Sequence, residues 1–284
     1  MTIKTEAEDS GVFDMLTRIL TAAVSLVVFI AVLLLPEWVF IIALAAIMGF
    51  MSYESIDCAK PAKSVKIAGG ISAVLLILGY IFKILAGEDI IVMWSVIMAI
   101  LIHCVVVVYE HGDVKYTDIF ASCLFIIYIV LSMSCVGYCR AEHGTGFMML
   151  IFVCSWMTDT GAYFVGSFMG KHKLIPEVSP KKTVEGAIGG VIVCMLSCFV
   201  YSLIISNIVG WPLLNTGTIA FVIMGMIASV ASQFGDLAAS AIKRDLQIKD
   251  FGNIFPGHGG FMDRFDSVMF VAPIIYGMYA LFWG

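Results

Sequence analysis

Most of the chain's chemistry lies in one apolar helix-like segment with embedded charges and one glycine-rich polar stretch. The first reads Gln233-Phe-Gly-Asp236-Leu-Ala-Ala-Ser240-Ala-Ile-Lys243-Arg244. Asp236, Ser240 and Lys243 are spaced i, i+4, i+7 and share one face of a helix. At 1.5 Å per residue, Asp236 lies roughly 10 Å inside the Lys243 end. A carboxylate that deep costs several kcal/mol unless it faces a cavity, a metal or a partner. The ordinary structural explanation is an ion pair from Asp236 to Lys243 along the helix. The second stretch runs from Lys249-Asp250 through Pro256-Gly257-His258-Gly259-Gly260 to Asp263-Arg264-Phe-Asp266. Its Pro-Gly and Gly-Gly pairs permit tight turns and close approach of backbone amides to a phosphate. Asp263 and Asp266 open the last helix on one side, where acidic groups also complement the helix dipole. Asp236 and Asp263, from two helix ends, form a candidate pair of Mg²⁺ ligands, since Mg²⁺ prefers oxygen donors and shares substrate phosphates.

Two further segments carry charge into apolar surroundings. Asp159, Tyr163, Gly166 and Gly170 step by four, three and four along one stripe of a helix. Gly166 and Gly170 offer a small-residue surface for close helix packing. Asp159 is either a site residue or a hydrogen-bonded structural carboxylate. The stretch Ser179-Pro-Lys181-Lys182-Thr183-Val-Glu185-Gly186 follows. Thr183 suits a helix start, although Glu185 is one residue short of capping-box spacing. Lys181 and Lys182 either set topology against anionic lipid heads or bind a nucleotide triphosphate or lipid phosphate. His103, His111, His143 and His172 are scattered and read as structural or solvated.

The elements that must position these residues are membrane helices. The chain has 284 residues, 61% apolar and only 13% charged, against about 25% charged in ordinary soluble domains. An all-α polytopic transmembrane fold follows, with the amino terminus on the cytoplasmic side. A spanning helix needs roughly 20 mostly apolar residues. Nine such runs are legible, near 17–35, 37–53, 66–86, 90–108, 117–138, 147–169, 184–206, 217–242 and 266–284. With that count, all but Lys83 and Arg140 of the 16 Lys and Arg lie on the cytoplasmic side, a strong positive-inside bias. The two longest loops, 170–183 and 243–265, fall on that side too. Residues 1–145 read as amino-terminal membrane helices with little chemistry, and 146–284 as the catalytic region. The eight cysteines show no C-x-x-C pair and read as small residues packing between helices.

The pattern Ser240-x-x-Lys243-Arg244, Lys249-Asp250 and His258-Gly-Gly-x-x-Asp263-Arg264-x-Asp266 resembles the phosphatidate cytidylyltransferase family, and weaker similarity reaches back to Asp159. The lack of a long polar amino-terminal extension points to a bacterial-type member. The resemblance implies Mg²⁺-dependent transfer of CMP from CTP to phosphatidate with release of pyrophosphate. It implies an inner-membrane homodimer with a polar cavity open to the cytoplasm, and K⁺ beside Mg²⁺. It assigns metal binding to Asp236 and Asp263, and polar pocket roles to Ser240, Lys243 and Arg244. Lys181, Lys182, His258, Asp159, Tyr163, Arg264 and Asp266 complete the expected substrate-binding set. The nucleophile, a lipid phosphate oxygen, is already anionic, so no strong general base is required. What the chemistry demands is cations that bring two polyanions together.

Two other readings compete. A CTP-dependent kinase of a polyprenol or phytol-like alcohol would leave CDP and a lipid monophosphate. A secondary transporter would use Asp159 and Asp236 as coupling sites, but such proteins often show paired broken-helix repeats, and none is visible here. No feature points to nucleic acid.

Overall fold

The structure, a computed structural model, describes residues 23–25, 27–209, 216–255, 257 and 259–283. Seven of its helices are long and apolar enough to cross a membrane. They are α1 (Glu37–Cys58), α2 (Lys63–Ala86), α3 (Asp89–Tyr109), α4 (Tyr116–Met169), α5 (Val184–Val209), α6 (Thr216–Asp245) and α7 (Met262–Trp283). A shorter apolar helix, Ala23–Leu34, precedes them. The expected first run begins among residues outside the described ones. The all-α polytopic membrane fold is therefore the one composition demands.

Helix α4 is 54 residues long, about 81 Å at the standard rise and far more than a hydrocarbon core of about 30 Å needs. Gly144 interrupts it with φ 84° and ψ 167°, a conformation essentially confined to glycine. The break separates the two runs expected at 117–138 and 147–169. Helix α6 has 30 residues, so it too exceeds one hydrocarbon thickness. The stretch expected as a plain loop at 170–183 contains an antiparallel hairpin, β1 (Lys173–Ile175) with β2 (Ser179–Thr183), pairing Lys173 with Thr183 and Ile175 with Ser179.

The chain divides into two compact units. The first comprises residues 1–127 and 248–264. Its helices start and stop where the sequence allows: Pro36 precedes α1 and Gly87 closes α2 in the left-handed conformation. Val65, Ala68, Val106 and Ile119 form an apolar cluster. Buried His103 bonds the Ala99 carbonyl through Nδ1 at 2.8 Å, which supports its structural reading.

The second unit comprises residues 128–247 and 265–284. Its helices pack through glycine. A Cβ on Gly161 would lie 2.7 Å from Val193 Cβ, and one on Gly186 would lie 2.7 Å from the Ala162 carbonyl oxygen. The carboxy-terminal part of α4 and the start of α5 thus meet almost backbone to backbone, through Gly166 among others. Cys154, Cys194 and Cys198 are fully buried at the crossing of α4, α5 and α6, with sulfurs within 4.8 Å of one another. Cys194 donates to the carbonyls of Gly225 (3.3 Å) and Cys154 (3.6 Å). Their burial between three helices fits the packing role expected of small residues, and the three sulfurs also stand close enough to share a metal ion.

Candidate functional site

The hairpin exists to deliver one lysine. Thr183 caps α5 by accepting the Gly186 N–H at 3.1 Å. Glu185, which has the wrong spacing for a capping box, reaches back instead and accepts the amides of Lys171 (3.1 Å) and His172 (3.2 Å) and pairs with His172 Nδ1 at 2.6 Å. Alternation along β2 then sends Lys181 and Lys182 to opposite sides. Lys181 is exposed, while Lys182 is only 25% exposed and its Nζ lies 2.5 Å from Asp236 Oδ2. Asp236 therefore pairs with a lysine from the hairpin and not with Lys243. Seven residues of helix separate Asp236 from Lys243, and the strand brings a cation directly alongside.

Helix α7 approaches α6 at the same level. A Cβ on Gly235 would lie 2.7 Å from the backbone oxygen of Asp266 and 2.9 Å from Phe270. Only glycine lets α7 come so near, and the next residue along α6 is Asp236. Asp159 is brought in from α4, where its neighbour Thr158 donates to Cys154 O (2.6 Å) and is hydrogen-bonded to Ser229 Oγ of α6 (2.8 Å). Gln233 ties α6 to α5 through the Ala187 carbonyl at 3.1 Å. Asp236 and Lys182 both act electrostatically on Asp159, and Asp236, Asp159 and Lys243 on Asp266. Three carboxylates and two ammonium groups thus share one region of this unit, and none of them is fully buried. The carboxylates outnumber the ammonium groups and offer hard oxygen donors. Such a set fits a divalent cation of the Mg²⁺ type.

Other expected site residues take different places. Ser240 is half-buried one turn beyond Asp236 on α6. Arg244 is exposed and donates through Nε to the Val178 carbonyl in the hairpin turn at 3.5 Å. Tyr163 is 70% exposed and packs edge-on against Phe164. His258 lies outside the described residues. Asp263 and Arg264 belong to the first unit. There Asp263 Oδ2 accepts the amides of Phe251 (2.8 Å) and Gly260 (3.0 Å). Gly257 and Gly259 have φ of 74° and 81°, and a Cβ on Gly259 would meet Asp263 Oδ2 at 2.7 Å. The amides at Gly260, Phe261 and Met262 are taken by carboxylates of this chain; the sequence had offered the glycines' amides to a phosphate.

A model of the cytidylyltransferase family matches residues 16–282. The chain belongs to this family. Among its relatives is a phosphatidate cytidylyltransferase of Bacillus subtilis, 34% identical over 274 residues that span 95% of this chain and 99% of the relative. Phosphatidate cytidylyltransferases of Staphylococcus saprophyticus and Staphylococcus aureus are 35% and 34% identical over 269 residues, each covering 92% of this chain and 97% of the relative. The resemblance read from the carboxy-terminal motifs therefore extends over both units of this cytidylyltransferase. One residue of its polar framework carried no signal in sequence. Glu54 on α1 is 4% exposed and accepts the amides of Phe261 at 3.1 Å and Met262 at 2.9 Å. Its only trace is an acidic residue in an apolar helix, in the half of the chain where little chemistry was expected.

Proposed function

We propose that this cytidylyltransferase is a phosphatidate cytidylyltransferase, joining CTP and phosphatidate into CDP-diacylglycerol and pyrophosphate. The observation that carries the reading is the grouping of Asp159, Asp236 and Asp266 with Lys182 and Lys243 in one region. Similarity to phosphatidate cytidylyltransferases along nearly the whole chain supports it. A phosphatidate oxygen attacks the α-phosphorus of CTP; that P–O bond forms, the bond to the bridging oxygen of the β-phosphate breaks, and pyrophosphate leaves. Asp236 is proposed as a Mg²⁺ ligand, with Asp159 and Asp266 beside it, and Asp263 remains a proposed ligand in its own unit. Bound Mg²⁺, with K⁺ as a companion, would offset the repulsion between the two phosphorylated substrates. Lys182 then has a second role. Its ammonium, which lies beside Asp236 in the structure, would neutralise substrate phosphate. Lys243 and Arg244 stabilise charge on the departing pyrophosphate.

The enzyme sits in the inner membrane as a homodimer, with its amino terminus and these charged groups on the cytoplasmic side. CTP arrives from the cytosol and the lipid from the bilayer. The positive-inside distribution of Lys and Arg supports this orientation. The test is purified protein in detergent with radiolabelled CTP, with and without phosphatidate and Mg²⁺. Label in lipid extract together with stoichiometric pyrophosphate is expected only when both are present. CDP and a phosphorylated lipid alcohol instead would establish the kinase reading and overturn this one.

A further inference from the structure

We propose that Glu54 is a positioning residue that holds the 251–263 loop, and with it Asp263, in its working shape. The loop ends where α7 begins, and the first turn of a helix leaves amide donors without intrahelical partners. Side chains near in sequence usually satisfy them. Here the partner comes from 207 residues away: Oε1 of Glu54 accepts Phe261 N–H at 3.1 Å and Oε2 accepts Met262 N–H at 2.9 Å. The negative charge also faces the positive end of the helix dipole.

Two loop glycines are explained by this one side chain. A Cβ added to Gly252 or to Gly260 would run into the Glu54 carboxylate. The loop is thus moulded around the carboxylate from two sides. Helix α1 presents Phe50 one turn before Glu54 on the same face, and its ring stacks on Phe261 at 5.3 Å. Phe255 closes on Phe261 from the loop at 4.8 Å. Asp263 completes the fold of the loop through the Phe251 and Gly260 amides. Glu54 and Asp263 therefore hold four consecutive or facing amides between them, and loss of Glu54 loosens the segment from which Asp263 projects.

What Asp263 is positioned for rests on the cytidylyltransferase reading; the clamp itself does not. The experiment therefore has two arms on the full-length protein in detergent. Hydrogen exchange followed by mass spectrometry reads the amides of 251–263 without any turnover. Radiolabelled CTP incorporation reads kcat. Glu54→Gln is nearly isosteric but replaces one acceptor oxygen with a donor group facing an N–H. Glu54→Asp is shorter but keeps both oxygens and the charge. We expect exchange at 260–262 in Glu54→Gln to rise on the order of tenfold or more, with protection in α2 and α3 unchanged and kcat falling on a similar scale. Glu54→Asp should retain more of both than Glu54→Gln. The reverse order, Gln better than Asp, would show that the site needs only filled volume and would overturn the proposal, as would wild-type exchange in Glu54→Gln. If Glu54→Gln loses protection throughout, Gly252→Ala decides, because it pushes on the same carboxylate from the loop side. Local loss of protection at 260–262 upholds the clamp, and unchanged exchange refutes it. If the wild type yields no CTP-dependent lipid product, the reaction assigned above fails while the exchange arm still judges Glu54.

Discussion

Gly235→Ala tests whether the spacing of α6 and α7 sets the catalytic geometry. The added Cβ would lie 2.7 Å from the Asp266 carbonyl oxygen and 2.9 Å from a Phe270 ring carbon. Ordinary contact starts near 3.4 Å, so the helices must part by about 0.7 Å. The obstruction is backbone, which cannot rotate aside as a side chain would. Overpacking of this kind costs about 1–3 kcal/mol. A helix-interior alanine returns up to about 1 kcal/mol of that over glycine, so the net loss of stability is small, on the order of 1 kcal/mol. The loss of activity should be much larger. Asp236 is the next residue, and a displacement approaching 1 Å at a reacting centre can cost on the order of 10²-fold in rate. The expected result is a 10- to 100-fold fall in kcat for CTP incorporation with little change in thermal stability in detergent. Gly277→Ala is the control: it lies on α7 with nothing within 4 Å of its added Cβ, and should leave activity unchanged while raising stability by up to about 1 kcal/mol through the same helix propensity. Activity of Gly235→Ala within twofold of wild type would refute the claim that this helix crossing fixes the site.

Asp236→Asn, which keeps shape and removes charge, should abolish turnover while the protein still purifies as a folded membrane protein; near-normal turnover removes Asp236 from the metal assignment. Lys182→Met should lower kcat strongly and raise KM for at least one phosphorylated substrate, read from initial rates against CTP and phosphatidate separately. Thr183→Val removes the α5 cap and should cost about 1 kcal/mol, seen as a lower unfolding temperature with a parallel fall in activity because the cap is adjacent to Lys182.

How much of this was visible in sequence depends on the reach of each interaction. Spans and the reactive stripe on α6 are local periodicities, and the break at Gly144 falls between two of the expected runs. Thr183 was readable as a cap because the amide it accepts lies three residues away. The partner of Asp236 was not, because the only lysine at helical spacing was Lys243, and the hairpin that supplies Lys182 depends on Glu185 gripping backbone amides 13 and 14 residues earlier. Gly235 looked like an ordinary small residue beside an aspartate; its role appears only when α7 lies against it. Glu54 is the extreme case, with both partners more than 200 residues distant, where no motif can register the pairing.

The two sets of carboxylates differ in a way that bears on how each should be perturbed. Asp159, Asp236 and Asp266 are not fully buried and outnumber the lysines that act on them. Glu54 and Asp263 have instead collected backbone amides, each satisfying two donors. Removing a carboxylate of the first kind deletes charge from the proposed cation site. Removing one of the second kind also leaves amides without acceptors, at roughly 1–3 kcal/mol for each buried donor. Asp263→Ala therefore mixes lost ligand with lost loop, and its inactivity alone would not identify a metal ligand. Asp263→Asn, which retains an acceptor oxygen for Phe251 and Gly260, separates the two. If Asp263 ligates Mg²⁺, that variant should keep wild-type exchange at 251–263 yet require much more Mg²⁺ for half-maximal turnover. If its task is only to hold the loop, turnover should return along with the protected amides, at the wild-type Mg²⁺ requirement.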